Sequence, residues 1–263
     1  MAWEKELTAA CAAAAKAGEI ALRYFGGDIQ AERKPDDSPV TAADRECERV
    51  IAGLLSDAFP DDGLLGEEGS HKEARSGRRW IIDPIDGTKD FVRGIPTWAV
   101  LIGLESAGEV VAGVAHLPAF GETYSASRGA GAFRNATPIR VSRVESPSRA
   151  IVCLDCLNRI SHLPLAERLT PWLAQFWAVR SMGGILDAMF VASGKAEAWI
   201  EPVAKAWDLA PIKVIAEESG ALFLNFDGGS SIHGGNCAVC APGLEAEVRG
   251  FLGCGSPDAL TAP

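Results

Sequence analysis

The stretch Asp83-Pro84-Ile85-Asp86-Gly87-Thr88 decides how the rest of this sequence is interpreted. It follows the apolar run Trp80-Ile81-Ile82, which predicts a sheet strand. In α/β proteins the end of such a strand is where sites usually lie, so two carboxylates and an intervening carbonyl could face one cluster of hard cations such as Mg²⁺. If a helix begins at Gly87-Thr88, its free backbone amides would bind phosphate oxygens.

Upstream of this stretch the sequence predicts two helices joined by a polar loop. Apolar residues recur at helical spacing over residues 3–25, and Gly26-Gly27 ends that helix. Residues 28–39 are polar and contain two prolines, which predicts an exposed, mobile loop. This loop carries Lys34, which could steer phosphate, although a lone loop lysine is usually solvated. Thr41 is the predicted N-cap of the second helix.

Downstream, the pattern changes to short strands and then to alternating strands and helices. Apolar runs at residues 98–104 and 110–115 are separated by Gly and acidic residues, which predicts sheet strands. In the second half strand-like and helix-like stretches alternate, as in layered α/β packing. We therefore expect an α/β (α+β) chain with an N-terminal α+β half at 1–146, a C-terminal α/β half at 147–252 and a disordered tail at 253–263.

Composition and charge exclude several classes of partner. With 263 residues the chain can bury a large core, and its formal charge of -10 argues against a nucleic acid as partner. No apolar run approaches the roughly 20 residues needed to cross a bilayer, and the amphipathic start does not resemble a signal peptide. We therefore expect a cytoplasmic protein with no membrane partner. An acidic chain that handles a phosphorylated metabolite would take its cations from bound metal ions.

The cysteines invite a second interpretation. Cys153-x-x-Cys156 and Cys237-x-x-Cys240 have a spacing that can build a four-thiolate zinc site. Both pairs fall at predicted strands, where residues three apart point to opposite faces, so we favour buried small residues. The odd total of seven cysteines favours reduced thiols over a disulfide framework.

Several motifs together resemble those of one enzyme family. Residues 83–91 (DPIDGTKDF) resemble the first signature of the inositol monophosphatase family, and residues 207–211 (WDLAP) resemble its second. Residues 38–44, 66–68 and 180–183 resemble its early helix motif, its upstream acidic motif and its substrate-side motif. The resemblance implies a five-layered αβαβα sandwich of the inositol monophosphatase/fructose-1,6-bisphosphatase type, and usually a homodimer.

The resemblance also implies a metal-dependent phosphomonoesterase that binds two or three Mg²⁺ ions. Glu67, Asp83 and the Ile85 carbonyl would hold one ion. Asp83, Asp86 and Asp208 would hold a second. Taken singly, these acids could equally be turn residues, first-turn helix acids or solvated loop charges.

Catalytic and phosphate-binding roles follow from the same resemblance. Thr88, oriented by Asp44, would help Glu67 position and deprotonate the attacking water. The backbone amides of Gly87 and Thr88 would bind the phosphate. Glu68, next to Glu67, is expected to be a solvated neighbour.

The resemblance implies a small phosphorylated metabolite as the substrate, and two interpretations of its identity remain open. Asp86, Gly87, Thr88, Arg180 and Glu201 are the candidate substrate-binding residues. Glu201 lies seven residues before Asp208, where the family that this chain resembles usually presents an acidic group to the non-phosphate part of the substrate, and it is therefore the leading specificity residue. A carboxylate there would pair with a cationic group of histidinol phosphate.

The residues around both signatures resemble the histidinol-phosphate phosphatase branch and favour that substrate, which belongs to histidine biosynthesis. That branch often has an acid directly after the glycine of the Arg180 motif, whereas this chain has Gly183-Gly184. Inositol 1-phosphate or a broad range of sugar phosphates is the alternative.

Overall fold

The computed structural model describes residues 3–27, 29–35 and 39–254. Its α-helices are α1 (Glu4–Tyr24), α2 (Ala42–Ala58), α3 (Thr88–Val92), α4 (Leu157–Ile160), α5 (Ala166–Leu173), α6 (Gly184–Ala192), α7 (Ala206–Ser219) and α8 (Glu245–Leu252). Its strands are β1 (Glu32–Arg33), β2 (Pro39–Val40), β3 (Gly63–Gly66), β4 (His71–Lys72), β5 (Arg78–Asp86), β6 (Ala99–Ser106), β7 (Glu109–Leu117), β8 (Glu122–Ser127), β9 (Gly131–Arg134), β10 (Thr137–Ile139), β11 (Ile151–Leu154), β12 (Ala178–Arg180), β13 (Ala198–Glu201), β14 (Leu222–Leu224) and β15 (Cys237–Cys240).

Two sheets organise the described residues. The larger sheet has eight strands in the order β10-β9-β8-β7-β6-β5-β3-β4, and the smaller has five in the order β12-β11-β13-β15-β14. The strands of the larger sheet all precede those of the smaller one in the chain. Among the described strands, three neighbouring pairs are parallel, namely β3 with β5, β11 with β12 and β11 with β13.

Three apolar clusters show how helices cover these sheets. The first joins α1 and α2 to one face of the larger sheet. The second joins α6 and α7 to both sheets, and the third joins α5 and α8 to the outer face of the smaller sheet. The layers therefore run helix, sheet, helix, sheet, helix, which confirms the five-layered sandwich. No helix in the described ranges is long and apolar enough to cross a membrane.

Two glycines let the central helix α7 approach the larger sheet closely. A Cβ added to Gly103 would lie 2.7 Å from the Ala210 Cβ, and one added to Gly113 would lie 2.8 Å from the Pro211 Cα. Real Cβ atoms do not approach other atoms this closely, so any larger residue would push α7 away. The start of α7, which carries Asp208, is thereby held against the sheet that carries Asp83.

Two segments that the sequence predicts to be a loop and a tail are partly ordered in the structure, and parts of both lie outside the described residues. Within residues 28–39, β1 and β2 form a short antiparallel pair, with Glu32 opposite Val40. Ser38 of the early helix motif lies outside the described residues. At the predicted tail, Gly253 ends α8 and Cys254 packs against the third apolar cluster, and residues 255–263 lie outside the described ranges.

Candidate active site

The segment that opened the sequence analysis forms the last part of β5 and the start of α3. Pairing between β5 and β6 shifts register between Asp83 and Asp86, so the strand is irregular where the two acids lie. Gly87 then adopts a left-handed conformation with φ of 82°, and α3 begins at Thr88. A side chain at this φ would be strained, which explains the glycine. The predicted helix start at Gly87-Thr88 is confirmed.

Three aspartates meet at this irregular strand end. Carboxylate oxygens of Asp83, Asp86 and Asp208 lie within 4.8 Å of one another. Asp208 comes from the first turn of α7, where its Oδ2 accepts a hydrogen bond of 2.7 Å from the Lys205 backbone N–H. The two signatures of the sequence therefore converge in space.

Burial makes this concentration of negative charge costly. It raises the pKa of Asp83 and of Asp86 well above the usual range, and the neighbouring carboxylates raise both further. Burial likewise raises the pKa of Asp208, to about 6. A set of buried carboxylate oxygens is the donor set of a hard divalent cation, and a bound cation would relieve the repulsion among them. The residues therefore fit a metal ion of this class.

Glu67 is held beside this cluster by a buried acid that the sequence analysis did not single out. The Glu67 backbone N–H donates to the Ile82 carbonyl at 3.1 Å. Glu48, on the inward face of α2, accepts the backbone N–H groups of Glu68 and Ser70, each at 2.7 Å. Glu48 lies one turn after Asp44 on the buried face of α2. Two acids on the buried face of an amphipathic helix are unusual, and this pattern in the sequence could have identified Glu48.

Lys34 and Glu68 are not solvated, contrary to expectation. The Lys34 Nζ lies 2.8 Å from a Glu67 oxygen and 2.5 Å from a Glu68 oxygen, and the Glu68 side chain is only 7% exposed. Burial alone would lower the pKa of Lys34, but its two carboxylate partners outweigh burial and raise that pKa. Burial raises the pKa of Glu68 to about 7, against the opposing effect of Lys34. Lys34 therefore ties the segment over residues 29–35 to the acidic cluster.

Thr88 and Asp44 lie next to each other, as their expected roles require. Asp44 is fully buried and accepts hydrogen bonds from the Thr41 backbone N–H at 2.8 Å and the Thr41 hydroxyl at 2.5 Å. Thr41 forms a capping box with Asp44 at the start of α2, which confirms the predicted N-cap. The Thr88 Oγ1 lies 3.4 Å from Asp44 Oδ1 and 3.1 Å from the Ile85 carbonyl oxygen.

A cavity of about 620 Å³ opens above these groups. Most of the expected site residues line it, namely Glu67, Asp83, Ile85, Asp86, Gly87, Thr88, Glu201 and Asp208. Arg180 does not line it. The Arg180 side chain is exposed and donates to the carbonyl of Val179. By contrast, Ser181 and Gly183 of the same motif, and Gly184 directly after it, line the cavity.

A second acidic group lies in the wall of the same cavity. Ligand atoms of Asp155, Cys156 and Glu201 lie within 4.8 Å of one another. Glu201 is 6% exposed, and burial, followed by the charge of Asp155, raises its pKa to about 9. Asp155 was missed by the sequence analysis, although it directly follows an apolar strand, the same signal that identified Asp83.

Comparison with known proteins matches this geometry to one family. The model of the inositol monophosphatase family covers residues 2–250. The chain belongs to the inositol monophosphatase family. It is 40% identical to a histidinol-phosphatase of Chlorobaculum parvum, over 90% of this chain and 92% of that protein. It is 38% identical to an inositol-1-monophosphatase of Mesorhizobium japonicum, over 84% of this chain and 85% of that protein.

Solved structures of the family show the same fold. The extragenic suppressor protein suhB from Bartonella henselae superposes with a TM-score of 0.85 at 32% identity, covering 93% of this chain and 97% of that one. The family match and the phosphatases among the relatives identify this inositol monophosphatase family member as a phosphoric monoester hydrolase acting on small phosphorylated metabolites.

Proposed function

We propose that this chain is a Mg²⁺-dependent phosphatase of histidinol phosphate, an activity of histidine biosynthesis. The observation that carries the proposal is the buried Glu201 carboxylate, which lines the same cavity as Asp83, Asp86 and Asp208. Histidinol phosphate carries an amine and an imidazole, and a buried carboxylate is a strong partner for either cation. Similarity to histidinol-phosphatases at 36% to 40% identity supports this choice.

The acidic cluster is proposed as the site of two or three Mg²⁺ ions. Glu67, Asp83 and the Ile85 carbonyl would hold one ion, and Asp83, Asp86 and Asp208 a second. Bound divalent ions supply positive charge for the phosphoryl oxygens and the leaving group and lower the pKa of water. The oxygen-only donor set and the raised pKa values of the aspartates support this assignment.

The remaining roles belong to residues that surround the cluster. Glu67 and Thr88 are proposed to position the attacking water and to accept its proton. Asp44, itself held by Thr41, orients the Thr88 hydroxyl. The backbone amides of Gly87 and Thr88 are proposed to bind the phosphate oxygens. Arg180 does not line the cavity, so no contact with the substrate is assigned to it.

An inositol 1-phosphate phosphatase, or a broad sugar-phosphate phosphatase, is the second candidate. The observation that favours it is the pair Gly183-Gly184, which leaves that part of the wall without the acid often found in the histidinol-phosphate branch. The similarity to an inositol-1-monophosphatase at 38% identity points the same way.

A direct kinetic comparison tests the proposal. Purified protein is assayed for phosphate release from histidinol phosphate and from inositol 1-phosphate, with Mg²⁺ and with EDTA. We expect kcat/KM to favour histidinol phosphate by about tenfold or more, because an unpaired buried carboxylate discriminates strongly between partners. Preference for inositol 1-phosphate by a similar factor would transfer the assignment to the second candidate. Full activity in EDTA would contradict the metal-dependent chemistry.

A homodimer and a cytoplasmic location complete the proposal. The Trp177 side chain is 70% exposed and Val179 is 38% exposed, next to and within the edge strand β12. Such exposed apolar groups favour burial against a second copy. Light scattering should give twice the mass of one chain, and Trp177→Asp should shift that mass toward the monomer. A monomeric wild-type protein would remove the dimer from the proposal.

A further inference from the structure

Two carboxylates outside the proposed metal ligands, those of Asp155 and Glu201, lie side by side in the cavity. Asp155 directly follows β11, and Glu201 ends the neighbouring parallel strand β13. The Asp155 backbone N–H donates to the Ile200 carbonyl at 3.1 Å, which continues the pairing of these strands. The position of Asp155 next to Glu201 is therefore set by the backbone of the sheet.

Neither carboxylate has a cationic partner within the described part of the chain. Asp155 Oδ1 accepts the Cys156 backbone N–H at 2.7 Å, and Glu201 Oε1 accepts the Val203 backbone N–H at 3.2 Å. No ion pair with a lysine, arginine or histidine involves either residue in those ranges. Two carboxyl groups placed this close together in a largely buried wall cannot both be ionised unless a cation lies between them.

Gly184 provides the space that Asp155 occupies. A Cβ added to Gly184 would lie 2.9 Å from Asp155 Oδ2, which is closer than real Cβ atoms approach. The Asp155 carboxylate therefore lies in the space that a side chain at position 184 would enter, at the start of α6.

Trp199 adds a second polar feature to the same wall. It lies two residues before Glu201 on β13, on the same face of the strand, and it lines the cavity. Its side chain is 2% exposed, and its indole N–H has no hydrogen-bond acceptor among the described residues. A buried donor that lacks an acceptor in the described part of the protein points to an acceptor atom of a ligand bound at this wall.

We propose that Asp155 and Glu201 together bind the cationic end of the substrate, an ammonium or imidazolium group, and thereby select amine-bearing phosphomonoesters over neutral polyol phosphates. Gly184 is the residue that makes room for this pair. The inference deepens the proposed function and rests on it in one respect only, namely that the phosphate is hydrolysed in this cavity.

The ratio of two kcat/KM values, for histidinol phosphate and for inositol 1-phosphate, tests the pair. We expect Asp155→Asn, which keeps shape and removes charge, to lower this ratio by about tenfold or more. Glu167→Gln removes one negative charge from an exposed position on α5 and serves as the matched control, with an unchanged ratio. A ratio for Asp155→Asn equal to that of the control would overturn the proposal.

Moving the carboxylate tests the role of Gly184. Asp155→Gly should lower the same ratio, and the double variant Asp155→Gly/Gly184→Asp should recover part of it, because the carboxylate returns to the same region from the other side. If the double variant folds but its kcat/KM ratio stays as low as that of Asp155→Gly, a carboxylate at position 184 cannot replace the one at position 155. Circular dichroism and the melting temperature identify variants that fail to fold. If the double variant does not fold, the result for Asp155→Asn alone tests the proposal.

Smaller esters separate this inference from the proposed function. Phosphoethanolamine and glycerol 1-phosphate are phosphomonoesters of similar size, the first with a cationic alcohol portion and the second with an uncharged one. If the wild-type protein fails on histidinol phosphate but prefers phosphoethanolamine, and Asp155→Asn loses that preference, the proposed substrate is wrong and the inference stands. If the wild-type protein cleaves histidinol phosphate and Asp155→Asn keeps every preference, the proposed function stands and the inference about Asp155 is wrong.

A metal ion is the competing occupant, because Asp155, Cys156 and Glu201 offer ligand atoms within 4.8 Å. Elemental analysis of the wild-type protein and of Asp155→Asn, each dialysed against Mg²⁺, distinguishes the two. Equal metal content supports binding of a substrate cation. Loss of one ion per chain in the variant would overturn it.

Discussion

Glu48 Oε2 accepts the backbone N–H of Glu68 at 2.7 Å, and this contact ties α2 to the loop that presents Glu67. The loop comes so close that a Cβ added to Gly66 would lie 2.5 Å from the Glu48 carboxylate. Glu48 itself is 3% exposed and does not line the cavity. It therefore acts on the site through the loop.

Removing the charge of Glu48 should disturb that loop and leave the fold intact. We expect Glu48→Gln to lower kcat/KM by roughly 10- to 100-fold, as is typical of residues that orient metal ligands. The amide can accept only one of the two backbone N–H groups well, so Glu67 loses its fixed position. Steady-state kinetics measure the effect, and Asp57→Asn, on the exposed face of α2, is the control. Wild-type activity in Glu48→Gln would show that the loop is held by other contacts.

The Thr88 hydroxyl is expected to be needed for turnover. It lies within reach of both Asp44 and the Ile85 carbonyl, which fixes its direction. Thr88→Ala should lower kcat by about 10²- to 10³-fold, because it removes a positioned group of the proton-transfer step. Thr88→Ser keeps the hydroxyl and should retain most of the activity. Similar losses in both variants would point to packing of the methyl group instead.

Lys34 should compete with divalent cations for Glu67. Its ammonium group contacts both Glu67 and Glu68, whose side chains are largely buried. We expect Lys34→Ala to tighten Mg²⁺ binding by about fivefold, the equivalent of about 1 kcal/mol. Calorimetric titration without substrate measures this directly, and Lys16→Ala, which removes an exposed lysine of α1, is the control. Weaker binding in Lys34→Ala would mean that Lys34 organises the carboxylates for the metal.

The stability of the metal-stripped protein should fall as pH rises. The folded-state pKa values of Asp83, Asp86, Asp208 and Glu201 are all raised, to about 6 for Asp208 and about 9 for Glu201. An acid with a raised pKa in the folded state stabilises fully below its unfolded pKa of about 4, and this stability is lost as pH rises through the folded pKa. The melting temperature in EDTA should therefore decrease between pH 5 and pH 9.

Added Mg²⁺ should reverse this trend, most strongly at the alkaline end, because metal ligands bind in their deprotonated form. At a concentration 100 times the Kd the ion should add about 2.7 kcal/mol to the free energy of unfolding. Asp83→Asn should flatten the pH dependence in EDTA. A melting temperature that rises steadily with pH in the stripped protein would contradict the raised pKa values.

Local patterns in the sequence were sufficient for most of the architecture and for the acidic cluster. Thr41 and Asp44 specify a helix start within four residues, and Asp83 to Thr88 specify a strand end and a glycine-dependent turn. Short elements such as β3, β4 and β12 were not predicted, because two to four residues carry too little periodicity. These short strands form because they hydrogen-bond to neighbouring strands that are distant or unpredictable from the local sequence.

By itself, the sequence determined the five-layered fold and the family, because its motifs together resemble those of one known family, and it predicted the ligand set around Asp83. Only the tertiary structure decided that Glu48 holds the Glu67 loop, that Lys34 is paired and that Asp155 lies over Gly184. These contacts join residues about 20 to 35 positions apart. Such neighbours are set by how strands and helices pack, and no local pattern records that packing.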